Sequence, residues 1–281
     1  MRKSSFSILI NTCDNFEDCW MPFFTLFKNY WPDYSGKIYL NTETKSFEFP
    51  GLNIISIKNN VQTPDKKITW SECLIRALKT IDCEIILYMQ EDYFLKDYVK
   101  TELVEKYVDL MTENKDIHCV HLTDQAIEAN LQPSEYENLY PAILNQRYLI
   151  SCQAALWRKD ILFSCLRPYE DAWQFEEFGS KRGAILRHNI FVVDKNWVKL
   201  DEFEIIPYIF TGIIQGRWYN QVPPLFEKNG ILMDFTKRGF LDEMPYKSIS
   251  KKLIHGWKHL IVSIKYYSEL YCLIRSRKNN D

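Results

Sequence analysis

Apolar runs that break abruptly into polar residues punctuate the first third of the chain. Phe6 to Ile10 ends in Asn11-Thr12-Cys13-Asp14, Gly36 to Asn41 and Leu52 to Ile57 are bounded by Pro, Gly or Asn, and Ile85 to Met89 ends in Gln90-Glu91-Asp92. Each reads as a strand, because buried strands of a parallel sheet are near-continuous apolar runs. Helices are predicted over 18–30 and over 69–81, where Trp70, Leu74, Ala77, Leu78 and Ile81 recur at a helical period. A helix over 98–111 follows, with Asp97 as its N-cap. Next come a strand over 116–122 leading to Thr123-Asp124, and a loop-rich excursion over 125–145 containing Pro133 and Pro141. Apolar character returns at 148–157, followed by a helix over 159–166, strand-like pieces at 190–193 and 205–210, and a Gly-bearing loop over 211–218. This alternation predicts an α/β fold with a mixed, mainly parallel sheet flanked by helices.

A second pattern occupies the C-terminus. Leu253, Trp257, Leu260, Ile264, Tyr267, Tyr271 and Ile274 recur at alternating steps of four and three, which puts them on one face of a helix over 247–276. Residues 246–281 carry eight Lys or Arg against Glu269 and Asp281, leaving that stretch at +6 and the rest of the chain at −8 within a net charge of −2. We therefore divide the chain into a body over 1–242 and a basic amphipathic helical tail over 243–281. Lys251, Lys258 and Lys265 fall seven apart on another face, the pattern of a helix lying in a membrane interface against anionic lipid. Docking on the domain itself or on a second subunit fits the same spacing.

The acidic body argues against general nucleic-acid binding, which needs a broad basic face. Eight scattered cysteines form no Cys-x-x-Cys pair and no zinc-ligand spacing with His, so most are expected to be buried thiols in a reducing cytoplasm. No run has signal-peptide or membrane-span length. The fingerprints of P-loop kinases, dinucleotide oxidoreductases, serine hydrolases and zinc proteases are absent.

Candidate chemistry centres on carboxylates. Glu91 and Asp92 lie at a strand's carboxyl end, where open α/β sheets place their ligand crevice, and hard oxygens there suit Mg²⁺ or Mn²⁺. Such an ion neutralises a substrate diphosphate. A second acid cluster spans Glu170-Asp171-Ala172-Trp173-Gln174-Phe175-Glu176-Glu177.

The first strand tip, the Gln-Glu-Asp tip and the Trp-x-Phe-Glu segment together resemble the GT-A, Rossmann-like fold of nucleotide-sugar-dependent glycosyltransferases of the bacterial surface-polysaccharide type. Gln90-Glu91-Asp92 stands where that family commonly has Asp-x-Asp, so Asp92 is the metal ligand the resemblance implies while the first carboxylate is missing. The tract Cys152 to Asp160 resembles the part that precedes the family's catalytic base. Glu176, Asp171 and Glu177 are the candidate bases, with Glu176 preferred because its aromatic neighbours pack a sugar face and restrict water. Thr12, Asp14, Asn15, Glu91, Asp92 and Arg217 are the candidate donor-binding residues, although helix capping explains Asp14 and Asn15 equally well. Arg217, in its loop, is preferred to Arg182 and Arg187 for a diphosphate. His118, His121 and His188 have no ligand spacing.

The resemblance implies transfer of a sugar from a nucleotide-sugar to a saccharide or lipid-linked saccharide, with inversion, at the inner face of the plasma membrane. Two alternatives stay open: an inactive scaffold of the same fold, and a glycoside hydrolase using Asp92 and Glu176 as a carboxylate pair.

Overall fold

The computed structural model describes residues 6–62, 67–124, 127–241 and 266–277. In chain order the elements are β1 (Phe6–Asn11), α1 (Glu17–Tyr30), β2 (Lys37–Asn41), β3 (Asn53–Ser56), α2 (Trp70–Thr80), β4 (Ile85–Gln90) and α3 (Thr101–Glu113). They continue with β5 (Cys119–His121), β6 (Leu139–Pro141), β7 (Ala155–Arg158), α4 (Lys159–Ser164), α5 (Ala172–Gln174), a single π turn (Phe175–Gly179) and α6 (Ser180–Ile185). After these come β8 (Ile190–Val193), the short hairpin β9 (Ile213–Ile214) and β10 (Arg217–Trp218), α7 (Val222–Lys228), and a last helix α8 over 266–277.

Among the described residues the main sheet has the order β3-β2-β1-β4-β7-β5-β8-β6. β1 pairs parallel with β2 and β4, β2 with β3, and β5 with β8, while β7 runs antiparallel to β4 and β5, and β6 to β8. The expected mixed, mainly parallel sheet flanked by helices is the fold. Strand alternation splits the core into two layers. Ile8, Ile10, Leu87 and Met89 pack with the aromatic face of α1 (Phe23, Phe24, Phe27), whereas Leu9, Ile86 and Tyr88 pack with Leu74, Ala77 and Leu78 of α2 and with Leu162. Strand order reverses between β1 and β4, so a crevice is expected outside their carboxyl ends.

Two local expectations are corrected. Asp97 does not cap α3, which begins at Thr101; its Oδ1 accepts only from the Tyr98 N–H at 2.8 Å. The intervening backbone is held elsewhere, with the Lys96, Val99 and Lys100 N–H groups donating to the carbonyls of Pro207, Tyr30 and Ile205. For the same reason 205–210 is no sheet strand: it lies beside 94–100 and makes one isolated bridge, Leu95 with Tyr208.

Of the tail, only 266–277 lies within the described residues, and it is docked on the body. Tyr266 stacks on Phe178 with ring centroids 3.7 Å apart, Leu270 is buried, and Glu269 pairs with Arg167. The predicted positions Lys251, Leu253, Trp257, Lys258, Leu260, Ile264 and Lys265 lie outside the described residues.

Candidate active site

The parallel strands end in amides at one register. Asn11 is paired in the ladder with Asn41 of β2 on one side and Gln90 of β4 on the other. Their side chains form a chain of hydrogen bonds across the strand ends: Asn59 Nδ2 donates to Asn41 Oδ1, Asn41 Nδ2 to Asn11 Oδ1 at 2.6 Å, Asn11 Nδ2 to the Tyr88 hydroxyl at 3.2 Å, and Gln90 Nε2 to the same hydroxyl at 3.4 Å. Asn11, Asn41 and Tyr88 are buried, so this neutral row reaches the surface only at its half-buried ends, Asn59 and Gln90. Sequence reasoning passed over it, although the signal was present: the runs of β1, β2 and β4 end in Asn11, Asn41 and Gln90.

On the β7 side, the segment Cys152-Gln153-Ala154 joins this row to the second acid cluster. The Tyr93 hydroxyl donates to the Cys152 carbonyl at 2.9 Å, Gln153 Nε2 donates to Tyr93 at 3.2 Å, and the Tyr208 hydroxyl donates to Gln153 Oε1 at 2.8 Å. The Cys152 N–H donates to Glu176 Oε1 at 2.9 Å. Glu176 stands in the π turn, a distortion that recurs at functional sites because it re-aims side chains. Burial pushes its carboxyl up from the ordinary range, while the Cys152 N–H and Arg147 pull it back. A carboxyl so placed is a suitable general base near neutral pH.

The other two candidate bases are not brought to this point. Asp171 is exposed and closes a capping box on α5, its Oδ1 accepting from the Gln174 N–H at 2.8 Å while Gln174 Oε1 accepts from the Asp171 N–H at 3.0 Å. Glu177 pairs with Lys181 at 3.0 Å on the surface, one helical turn away in sequence.

Asp92 turns into the protein. Its Oδ2 accepts from Thr211 Oγ1 at 2.7 Å and from the Ile213 N–H at 3.0 Å, and its carbonyl accepts from the Gly212 N–H at 2.9 Å. Only glycine fits between: a Cβ on Gly212 would lie 2.3 Å from the Phe94 ring. Glu91 faces other neighbours. It is buried close to Cys13, Cys19 and the Asp18–Arg238 ion pair, and burial first, then the Asp92 charge, raises its pKa well above the usual value. Among the described residues no three His, Cys, Asp or Glu side chains gather to hold a metal. With Asp92 Oδ2 taken by the Thr211–Ile213 loop and Glu91 buried beside the Asp18–Arg238 pair, this tip is short of free carboxylate oxygens for the expected Mg²⁺ or Mn²⁺.

The remaining donor-side candidates are tied to the scaffold. Asp14 accepts from the Glu43 and Thr44 N–H groups, both at 3.0 Å, anchoring the loop after β2. Thr12 Oγ1 accepts from Trp20 Nε1 at 2.9 Å, and Asn15 is exposed with its carbonyl accepting from Arg238. Arg217 Nη1 donates to the Arg238 carbonyl at 3.0 Å. Arg238 itself, which sequence reasoning missed, is the guanidinium beside Glu91; it also lies over the Phe16 ring, 4.5 Å from its centroid. Nothing in the local sequence marks it, since its partners stand some 220 positions upstream. Arg182 is fully buried against Glu170, and Arg187 lies just past α6 at φ 53°. Of the histidines, burial pushes His121 and His188 down to about 4.

No family model matches the chain, and no curated protein sequence matches it. Solved structures similar to it include the 1–349 fragment of S. aureus TarS (13% identity, TM-score 0.45, 74% of this chain and 60% of that one) and the same fragment in complex with UDP-GlcNAc (14%, 0.44, 71% and 57%). Another is glucosyl-3-phosphoglycerate synthase from Mycobacterium tuberculosis in complex with Mn²⁺ and UDP-glucose (11%, 0.43, 81% and 80%). The chain spans about 60% of the TarS fragment's length.

Proposed function

We propose that the chain is a GT-A-like glycosyltransferase that moves a sugar from a nucleotide-sugar to a saccharide or lipid-linked saccharide in surface-polysaccharide assembly. The observation that carries this reading is the link through Cys152. It holds Glu176, a half-buried carboxylate, against the segment that enters β7, next to the strand ends where this sheet order leads us to seat a nucleoside. Glu176 takes the proton from an acceptor hydroxyl as that oxygen bonds to the anomeric carbon; the bond from that carbon to the nucleoside diphosphate breaks, and configuration inverts. Arg238, ion-paired with Asp18 beside Glu91, is the guanidinium we assign to a diphosphate, and no step depends on a metal.

A hydrolase reading needs two free carboxyls, and Asp92 is not free. A lipid-linked acceptor is presented at the cytoplasmic leaflet, and the basic stretch 246–281 suits peripheral contact there. No helix among the described residues is long and apolar enough to cross a membrane. A thermal-shift and transfer screen of nucleoside diphosphates and their sugars tests the reading. Stabilisation by at least one diphosphate, and transfer lost in Glu176→Gln, are the expected results.

A further inference from the structure

The described part of the tail carries two apolar stripes side by side. Tyr266, Leu270 and Leu273 form the first and face the body, where Tyr266 stacks on Phe178 and Leu270 is buried. Tyr267, Tyr271 and Ile274 form the second, one residue on and so about 100° round the helix. That second stripe is exposed: Tyr267 by 56%, Tyr271 by 65% and Ile274 by 42%. It is also the stripe whose four-and-three spacing continues back in the sequence through Ile264, Leu260, Trp257 and Leu253. Trp173, 74% exposed, adjoins Gln174, which contacts the Tyr266 hydroxyl at 3.5 Å.

Charge distinguishes the occupants of this face. Glu269, the acid of α8, is turned inward to Arg167, with Arg182 3.8 Å away, and the Tyr169 hydroxyl donates to it at 3.1 Å. The outward side keeps Arg275 exposed, while Lys181, 5.0 Å from the Tyr267 ring centroid, is charge-balanced by Glu177. Of the nearby acids, Glu177 is paired with Lys181 and Asp171 caps α5. Tyr and Trp with an apolar body and polar tip, bordered by cations, favour the boundary between headgroups and acyl chains.

We propose that Tyr267, Tyr271 and Ile274 are a membrane-contact face for anionic lipid, held rigid by the docked stripe. This rests on the peripheral contact proposed above and deepens it: the body meets the membrane through a fixed face of α8, not through a loose tether.

The test is co-sedimentation of the full chain with vesicles of phosphatidylcholine alone or with phosphatidylglycerol, for wild type and for Y267S/Y271S/I274S, with melting temperature and molar mass in solution measured alongside. The expected result is binding that requires phosphatidylglycerol and weakens about tenfold or more in the triple variant at unchanged melting temperature. Wild type that ignores both vesicles contradicts peripheral contact altogether. Wild type and a folded triple variant that bind anionic vesicles equally leave the contact standing and overturn this face as its site. A wild-type dimer that the triple variant dissolves assigns the face to a second copy and overturns the proposal. The Glu176 reaction is untouched by any of these outcomes, since vesicle binding is read without sugar transfer.

Discussion

The backbone N–H of Cys152 holds Glu176 Oε1 at 2.9 Å, and this bond connects the two halves of the candidate site. Cys152 belongs to the segment entering β7, whereas Glu176 belongs to the π turn after α5. Replacing Glu176 with Gln keeps an acceptor oxygen for the Cys152 N–H but removes the base. The predicted outcome is a transfer rate lower by about 10²-fold or more with nucleotide binding retained, read by single-turnover transfer and by calorimetry. If Asp171→Asn or Glu177→Gln behaves that way instead, the base is another residue.

The same carboxyl sets a pH dependence. Burial raises its pKa in the folded protein, and a base works only when ionised, so kcat/KM should fall on acidification at a higher pH than an exposed glutamate would give. Stability runs the other way. A carboxyl whose folded pKa is raised contributes stability that is fully present below its unfolded pKa and is lost as pH rises through the folded one. Glu176→Gln should therefore flatten the decline of melting temperature with pH across that window; an unchanged slope would contradict the assignment.

Asp92 is predicted to matter for stability rather than for metal. Asp92→Asn replaces one acceptor with a donor, and if that amide faces the Thr211–Ile213 loop it leaves buried N–H and O–H groups unpaired at a cost of about 1–3 kcal/mol. Gly212→Ala should also destabilise, since its Cβ would collide with Phe94. Denaturant melts measure both. Chelation of divalent ions should leave nucleoside-diphosphate affinity unchanged, and a calorimetric affinity that collapses in EDTA would restore Asp92 or Glu91 as a metal ligand.

How much of this was legible in the sequence follows from the range of each interaction. Strands and helices with their own apolar period, such as β4 and α2, were readable because burial acts on every second or every third to fourth residue. Asp97 was misread because its backbone neighbours bond to Tyr30 and Ile205, contacts no local pattern encodes. Glu176 was separable from Asp171 only in space: both sit in one acidic run, yet one reaches Cys152 and the other closes a helix start. The amide row Asn11, Asn41 and Gln90 was visible as strand endings, but its coherence depends on sheet register. The tail's two stripes differ by one residue, so periodicity alone did not say which one docks.

The buried Arg182–Glu170 pair is predicted to hold the acid cluster and α8 together. Burial pushes Glu170 up to about 7 in spite of Arg182. Its contribution is therefore present below about pH 4.5 and lost as pH approaches and passes 7, and Glu170→Gln should remove that part of the pH slope. Arg182→Met leaves Glu170 buried without its partner and should cost about 3–5 kcal/mol in urea unfolding, much of which Arg182→Met/Glu170→Leu recovers.

The central claim is sugar transfer from a nucleotide donor with Glu176 as base. It is tested most directly by incubating wild type and Glu176→Gln with a panel of nucleotide-sugars and saccharide acceptors, following nucleoside-diphosphate release and, in parallel, nucleoside-diphosphate binding. The account predicts saturable binding of at least one diphosphate by both proteins, with acceptor-dependent release in wild type reduced about 10²-fold or more in the variant. A folded wild-type chain that binds no nucleoside diphosphate, or a Glu176→Gln variant that turns over as fast as wild type, would contradict it.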